Sequence, residues 1–150
     1  MLSTSDINLF FVRRNKNRNE VHYALRIDPA TGKPPAREPV FGYWQMHEKG
    51  AGVTEPITVF EQMAFGIESQ NFAGDTILLK LRAFPERVIR IAQDAATGQW
   101  KPLIRIFEKD CELSSFYVFA EDTLFLPKVK YIEVHGKDQG AEVTERINKG

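Results

Sequence analysis

Thr76-Ile77-Leu78-Leu79-Lys80-Leu81-Arg82-Ala83-Phe84 alternates with a period of two. Ile77, Leu79, Leu81 and Ala83 fall on one face of a strand, and Leu78, Lys80, Arg82 and Phe84 on the other. Pro85-Glu86 turns the chain. Residues 87–93 repeat the pattern, with Arg87, Ile89 and Ile91 opposing Val88, Arg90 and Ala92. Residues 100–108 repeat it again, with Leu103, Arg105 and Phe107 opposing Ile104 and Ile106. Asp94-Ala95-Ala96-Thr97-Gly98 supplies hairpin chemistry between the last two. Three successive strands whose Ile and Leu faces align make a sheet with one apolar side, and that decides the fold class.

The rest of the chain reads the same way. Residues 7–13 are apolar on both faces, with Leu9 and Phe11 opposite Phe10 and Val12, as in a well-buried strand. After the polar turn Asn15-Lys16-Asn17-Arg18-Asn19, residues 20–28 alternate through Val21, Tyr23, Leu25 and Ile27, so the first two strands form a hairpin. Pro29, Gly32, Pro34 and Pro35 interrupt pairing. Residues 39–47 form a third, aromatic strand in which Gly42 marks a bulge or a close backbone approach. Thr58-Val59-Phe60-Glu61 fits a capping box and Gly66 a stop, which predicts one short helix over about 58–66. Its face of Phe60, Met63 and Ala64 must pack on a sheet, because two turns cannot stand alone. Residues 112–120, 128–136 and 141–147 are three more strands. Residues 121–127 form a longer connection, apolar through Leu124, Phe125 and Leu126.

Eight or nine short strands with one helix predict a mainly β domain spanning residues 1–150, an antiparallel meander closed into a barrel or folded as a two-sheet sandwich. No βαβ alternation supports a parallel sheet. The 150 residues carry 20 Lys plus Arg and 20 Asp plus Glu, so no net basic footprint for nucleic acid exists. The longest uninterrupted apolar run, residues 116–120, is far too short to span a membrane. Residues 1–6 have no leader character, which reads as soluble and cytoplasmic as given, or exported if a leader has been removed. The single Cys111 excludes an internal disulfide, and Asp110 and Glu112 beside it disfavour a reactive thiolate.

Catalytic signatures are sparse. There is no Gly-x-Ser-x-Gly elbow, and Ser114 and Ser115 have no histidine near them in sequence. His22, His47 and His135 lack partners at metal-ligand spacing; His47-Glu48 begins like a zincin motif, but position 51 is Ala. Gly50-Ala51-Gly52 lacks the third glycine of a dinucleotide loop and has Glu55 in its place. No catalytic residue, metal or cofactor is therefore expected.

The informative pattern is electrostatic. On three neighbouring strands, Lys80, Arg82, Arg90 and Arg105 gather on the face opposite the aliphatic layer. Like charges so placed repel unless something negative sits among them. The ordinary resolution is a solvated face neutralised by Glu86, Glu108, Glu112 or Glu133. The sharper one is a cleft that clamps the acidic head of a small amphipathic or anionic ligand, with Tyr43 and Trp44 against its apolar body. Non-catalytic binding of such a ligand is the function this implies. Two alternatives stay open: a protein–protein interaction module using a sheet edge or the aromatic strand, and an enzyme using Glu133 and His135 as an acid–base pair. Arg13-Arg14-Asn15-Lys16-Asn17-Arg18 is a basic run in a turn, read as a solvated hairpin tip that acidic partners can reach.

Asn8-Leu9-Phe10-Phe11-Val12-Arg13-Arg14-Asn15-Lys16-Asn17, then Val21-His22-Tyr23, Pro39-Val40-Phe41-Gly42-Tyr43-Trp44, Thr58 with Glu61, Phe65-Gly66-Ile67, and Tyr131-Ile132-Glu133-Val134-His135-Gly136 together resemble an uncharacterised bacterial family known only as a domain of unknown function. The resemblance spans roughly residues 7 to 147. It implies no activity and no catalytic residue. Members often follow an export signal, which keeps a periplasmic or surface location open.

Overall fold

The computed structural model describes residues 2–47, 52–59, 61–124 and 127–149. The fold is mainly β. Its strands are β1 (Ile7–Arg14), β2 (Glu20–Leu25), β3 (Val40–Met46), β4 (Val53–Pro56), β5 (Ile67–Ala73), β6 (Thr76–Leu81), β7 (Ile89–Gln93), β8 (Trp100–Ile106), β9 (Lys109–Glu121), β10 (Lys128–Asp138) and β11 (Ala141–Asn148), with one helix, α1 (Gln62–Phe65). They join in a single 11-stranded sheet that does not close. Alternation does not reveal β4 or β5: β4 is four residues long, and β5 is polar and mostly exposed.

Two antiparallel meanders, β1–β4 and β5–β11, meet at β9. β1 joins it in parallel, Phe11 to Arg14 beside Ser115 to Val118, the one departure from antiparallel pairing among the described strands. β10 runs along β9 from Glu112 to Glu121. A strand has only two edges, so β8, paired to residues 109–112, and β1, paired to residues 115–118, follow one another along the other edge. At the handover Ser114 has no opposite number: His135 pairs Ser115 and Gly136 pairs Leu113. This bulge flips the inward parity of β9 from Cys111 and Leu113 to Phe116, Val118 and Ala120. One long strand thereby serves both meanders.

The bend brings backbones close. A Cβ on Gly136 would lie 2.5 Å from the Glu112 carbonyl oxygen and 2.7 Å from Ile106 Cδ1. Gly136→Ala is expected to cost about 1–3 kcal/mol, read from the urea midpoint. An unchanged midpoint would mean the bulge relaxes freely. Gly42 marks the expected close approach rather than a bulge: its register with Tyr23 is continuous, and a Cβ there would meet Ile57 Cδ1 at 2.8 Å.

The core is the apolar side of both meanders. Ile77, Leu79, Leu81, Ile89, Ile91, Ile104 and Ile106 pack from one, and Phe10, Val12, Val21, Tyr23, Leu25 and Val40 from the other. Phe116 joins them, with ring centroids 5.4 Å from Phe84 and 6.0 Å from Phe10. Phe84 thus departs from the expected cationic face. β6 ends at Leu81, and the following turn, closed by Phe84 N–H to the Leu81 carbonyl, swings the ring inward until it is 1% exposed.

The helix is shorter than expected. The capping box forms as read: Glu61 N–H donates to Thr58 Oγ1 at 3.2 Å, and Thr58 N–H to Glu61 Oε1 at 2.9 Å. Yet Met63 is 75% exposed and Ala64 is exposed, while Phe60 lies outside the described residues. Phe65 makes the contact instead, edge-on to Trp44 at 5.3 Å. Four residues present too little face for a helical stripe.

Candidate functional site

Lys80, Arg90 and Arg105 sit on the side of the sheet away from the core, as alternation requires, and Arg82 is exposed just past the end of β6, but only Arg90 and Arg105 share a cleft. Arg90 and Arg105 line a space of about 610 Å³ with Glu86, Arg87, Val88, Glu108, Asp110 and Glu145. Carboxylates outnumber guanidiniums there. Arg90 pairs with Asp110 at 2.8 Å, Arg87 grips both oxygens of Glu145 at 2.8 and 2.9 Å, and Arg105 Nη2 donates to the Glu108 carbonyl at 2.5 Å. Lys80 and Arg82 do not line it. The cations are spent on the protein's own acids and carbonyls, so this cleft does not concentrate positive charge.

Tyr43 and Trp44 are neighbours in β3 and so point to opposite faces. Trp44 lies opposite Val21 and faces the core. Tyr43 lies on the outer face, 1% exposed, where its hydroxyl donates to Asn8 Oδ1 at 2.5 Å and its ring stacks on His22 at 5.7 Å. Neither lines the Arg90–Arg105 cleft. The two rings cannot flank one ligand beside those arginines.

Glu133 and His135 share the outer face of β10. Glu133 Oε2 accepts from Arg146 Nε and Nη2 at 3.2 and 2.8 Å, and the guanidinium holds that carboxyl below its ordinary range. His135 Nε2 lies 3.3 Å from Glu133 Oε1, and its Nδ1 lies 3.0 Å from Thr144 Oγ1. The fold does bring Ser115 opposite His135, but both ring nitrogens already have partners, and a carboxyl held ionised is a poor proton donor. Cys111 is buried, and burial first, then the Asp138 charge, pushes its thiol up. His22 Nε2 and His47 Nε2 converge on Glu20 Oε1 at 3.0 and 3.1 Å. Burial opposes ionisation of Glu20, but the bonds from His47 and His22 outweigh it and hold the carboxyl low. No His, Cys, Asp and Glu group among the described residues is arranged to hold a metal ion. Gly50 and Ala51 lie outside the described residues.

The concentrated positive charge is elsewhere, at the β1–β2 tip. A shallow basin of about 490 Å³ is lined by Arg13, Arg14, Asn15, Lys16, Asn17, Arg18, Glu20, His47 and Tyr117. Glu20 is the one carboxylate among these, and both its histidines already engage it. The basin is held firmly. Asn15 Nδ2 donates to the Ala120 carbonyl and Ala120 N–H to Asn15 Oδ1, each at 2.9 Å. Asn15 N–H bonds the Val118 carbonyl, and His47 N–H bonds Asn19 Oδ1 at 2.9 Å. Lys16 takes a left-handed conformation at φ 64° to turn the tip. Arg13 lies over the Tyr117 ring, 5.4 Å from its centroid, and Arg14 and Lys16 reach only loosely to Asp122, at 3.8 and 3.9 Å. Arg18 has no ion pair among the described residues.

Sequence alone picks out this basic run. What it lacks is the parallel β1–β9 register that sets Tyr117 and Asp122 beside it, and the β2–β3 hairpin that adds His47. No helix among the described residues is long and apolar enough to cross a membrane. No curated protein and no solved structure matches the chain. A family model described as a domain of unknown function, DUF4833, matches residues 10–146, and the chain belongs to that family.

Proposed function

We propose that the domain binds an anionic ligand without transforming it, and that the β1–β2 basin is the site. The observation that supports this is the crowding of Arg13, Arg14, Lys16 and Arg18 around a rigid tip whose lining has one carboxylate, already shared by two histidines. Cations held this close raise one another's energy, and an anion placed among them relieves it. The guanidiniums suit forked contact to phosphate or carboxylate oxygens, and Asn17 adds neutral polar groups. The Arg90–Arg105 cleft is the weaker candidate because its acids compete for the same place.

Inorganic tripolyphosphate, titrated at low salt and followed by amide chemical shifts, tests this. Shifts are expected at residues 13–18, His47 and Tyr117. Arg13→Gln with Arg18→Gln should weaken binding at least about ten-fold, each lost charge-assisted bond being worth roughly 1–2 kcal/mol. Shifts confined to the Arg87–Glu145 cleft, or none at all, would reject the basin.

A protein-interaction role has one observation in its favour. β5 ends the sheet, and its outer edge meets β3 through Gln70, whose side-chain amide donates to the Val40 carbonyl at 3.0 Å and accepts from Val40 N–H at 2.9 Å. The aromatic strand is flanked on both sides, by β2 and β4, over Tyr43–Gln45.

A further inference from the structure

We propose that the basin docks the domain onto an anionic lipid surface, with Leu124 as the apolar anchor. This rests on the basin being an anion site and names the class of anion it takes. The hairpin tip and the turn after β9 form one end of the molecule. Arg14 and Lys16 both reach Asp122, and Asn15 is bonded to Ala120 on each side of its amide. Leu124, two residues beyond Asp122, is 95% exposed. An isolated exposed leucine is ordinary on a protein surface. Its position is what counts here, two residues past the Asp122 toward which Arg14 and Lys16 reach from the basic tip. Lys128 and Lys130, at the start of β10, extend the positive charge at the same end, with Glu121 facing them. Arg13, Arg14, Lys16, Arg18, Lys128 and Lys130 there outnumber Glu20, Glu121 and Asp122.

A lipid surface is the occupant that uses both features at once. Headgroup phosphates and carboxylates neutralise the cations, and the boundary below them takes an apolar side chain. A nucleic-acid backbone leaves Leu124 in water, and so does a free phosphate. Stacking on bases also has little to work with, because Tyr117 is the one aromatic ring lining the basin besides His47, and Arg13 already lies over one of its faces. The chain's net charge of zero does not oppose this, since attraction to a membrane falls off within a Debye length and is set by the facing end alone.

Sedimentation of the full chain with vesicles, alongside tripolyphosphate titration, tests both levels. Vesicles of phosphatidylcholine with about a third phosphatidylserine should retain the protein at low salt, and phosphatidylcholine alone should not. Leu124→Ser should lower vesicle partitioning about ten-fold while leaving tripolyphosphate affinity unchanged. Arg13→Gln with Arg18→Gln should weaken both, by about five-fold per cation on vesicles. Tripolyphosphate binding without vesicle binding overturns the lipid proposal and leaves the anion site standing. Vesicle binding indifferent to Leu124→Ser also overturns it, as mere adsorption of charge. Failure of both ligands overturns the anion site itself.

Discussion

Phe116→Ala should lose about 3–5 kcal/mol of folding stability, the largest single effect expected anywhere in the chain. Phe116 is 1% exposed and touches the two meanders at once, Phe84 from one and Phe10 from the other. Truncating it removes the transfer energy of a ring and leaves a cavity between Phe84 and Phe10, where the two layers meet. A domain of this kind has only about 5–15 kcal/mol in total. The melting temperature should fall by roughly 6–20 °C, at about 2–4 °C per kcal/mol for a chain of this size. Phe119, on the outer face of the same strand and stacked on Tyr131 at 4.9 Å, supplies the control. Phe119→Ala should cost only about 1 kcal/mol. Equal urea midpoints for the two variants would show that β9 does not join two packed layers.

That junction marks the boundary of what the sequence makes legible. Period-two alternation in residues 76–84, 87–93 and 100–108 correctly names Ile77, Leu79, Leu81, Ile89, Ile91, Ile104 and Ile106 as core, because a half-buried strand must repeat every second residue. The alternation fails at Ser114, where a bulge inserts one residue, and no local composition announces it. It is equally silent about the parallel β1–β9 pair, whose partners lie about a hundred positions apart. The β8–β9 turn is hidden for a different reason. Phe107 and Glu108 both take left-handed φ, 49° and 65°, a conformation that usually advertises itself through Asn or Gly.

The candidate site divides the same way. The basic run at residues 13–18 is plain in the sequence. So is the cationic face of the β6–β8 meander, and by charge count alone the two are level at four cations each. What separates them is where the acids lie. Asp110 and Glu145 arrive from β9 and β11 to meet Arg90 and Arg87, whereas among the described residues only Asp122 pairs with the tip cations, and at the limit of ion-pair distance. Cross-strand neutralisation is a property of register, and register between distant strands is not written locally.

Glu145→Gln should destabilise the domain by about 1–3 kcal/mol at neutral pH and flatten its acid response. The carboxylate accepts both guanidinium donors of Arg87, and also the Phe107 N–H at 2.8 Å. It therefore pins β11 to the strained β8–β9 turn, which Arg87 secures from the other side by donating to the Arg105 carbonyl at 2.6 Å. The Arg87 bonds first, with the Phe107 amide helping against the cost of burial, hold the Glu145 carboxyl down at about 2, against an ordinary 4.5. A carboxyl depressed in the folded state contributes fully above the unfolded value and loses its contribution as pH falls through the folded one. The window is therefore pH 4.5 down to about 2. The full shift corresponds to about 3 kcal/mol, and partial exposure of both side chains trims it. Glu20, Glu61, Asp94 and Glu133 are also held low, so wild-type stability falls with acid for several reasons at once. The informative quantity is the difference between wild type and Glu145→Gln in urea midpoint across this range. That difference should be largest at about pH 6 to 7 and shrink toward about pH 2, where Glu145 itself takes up a proton and the two proteins converge. A difference that stays constant with pH would assign the loss to packing and would break the link between this ion pair and the turn it holds.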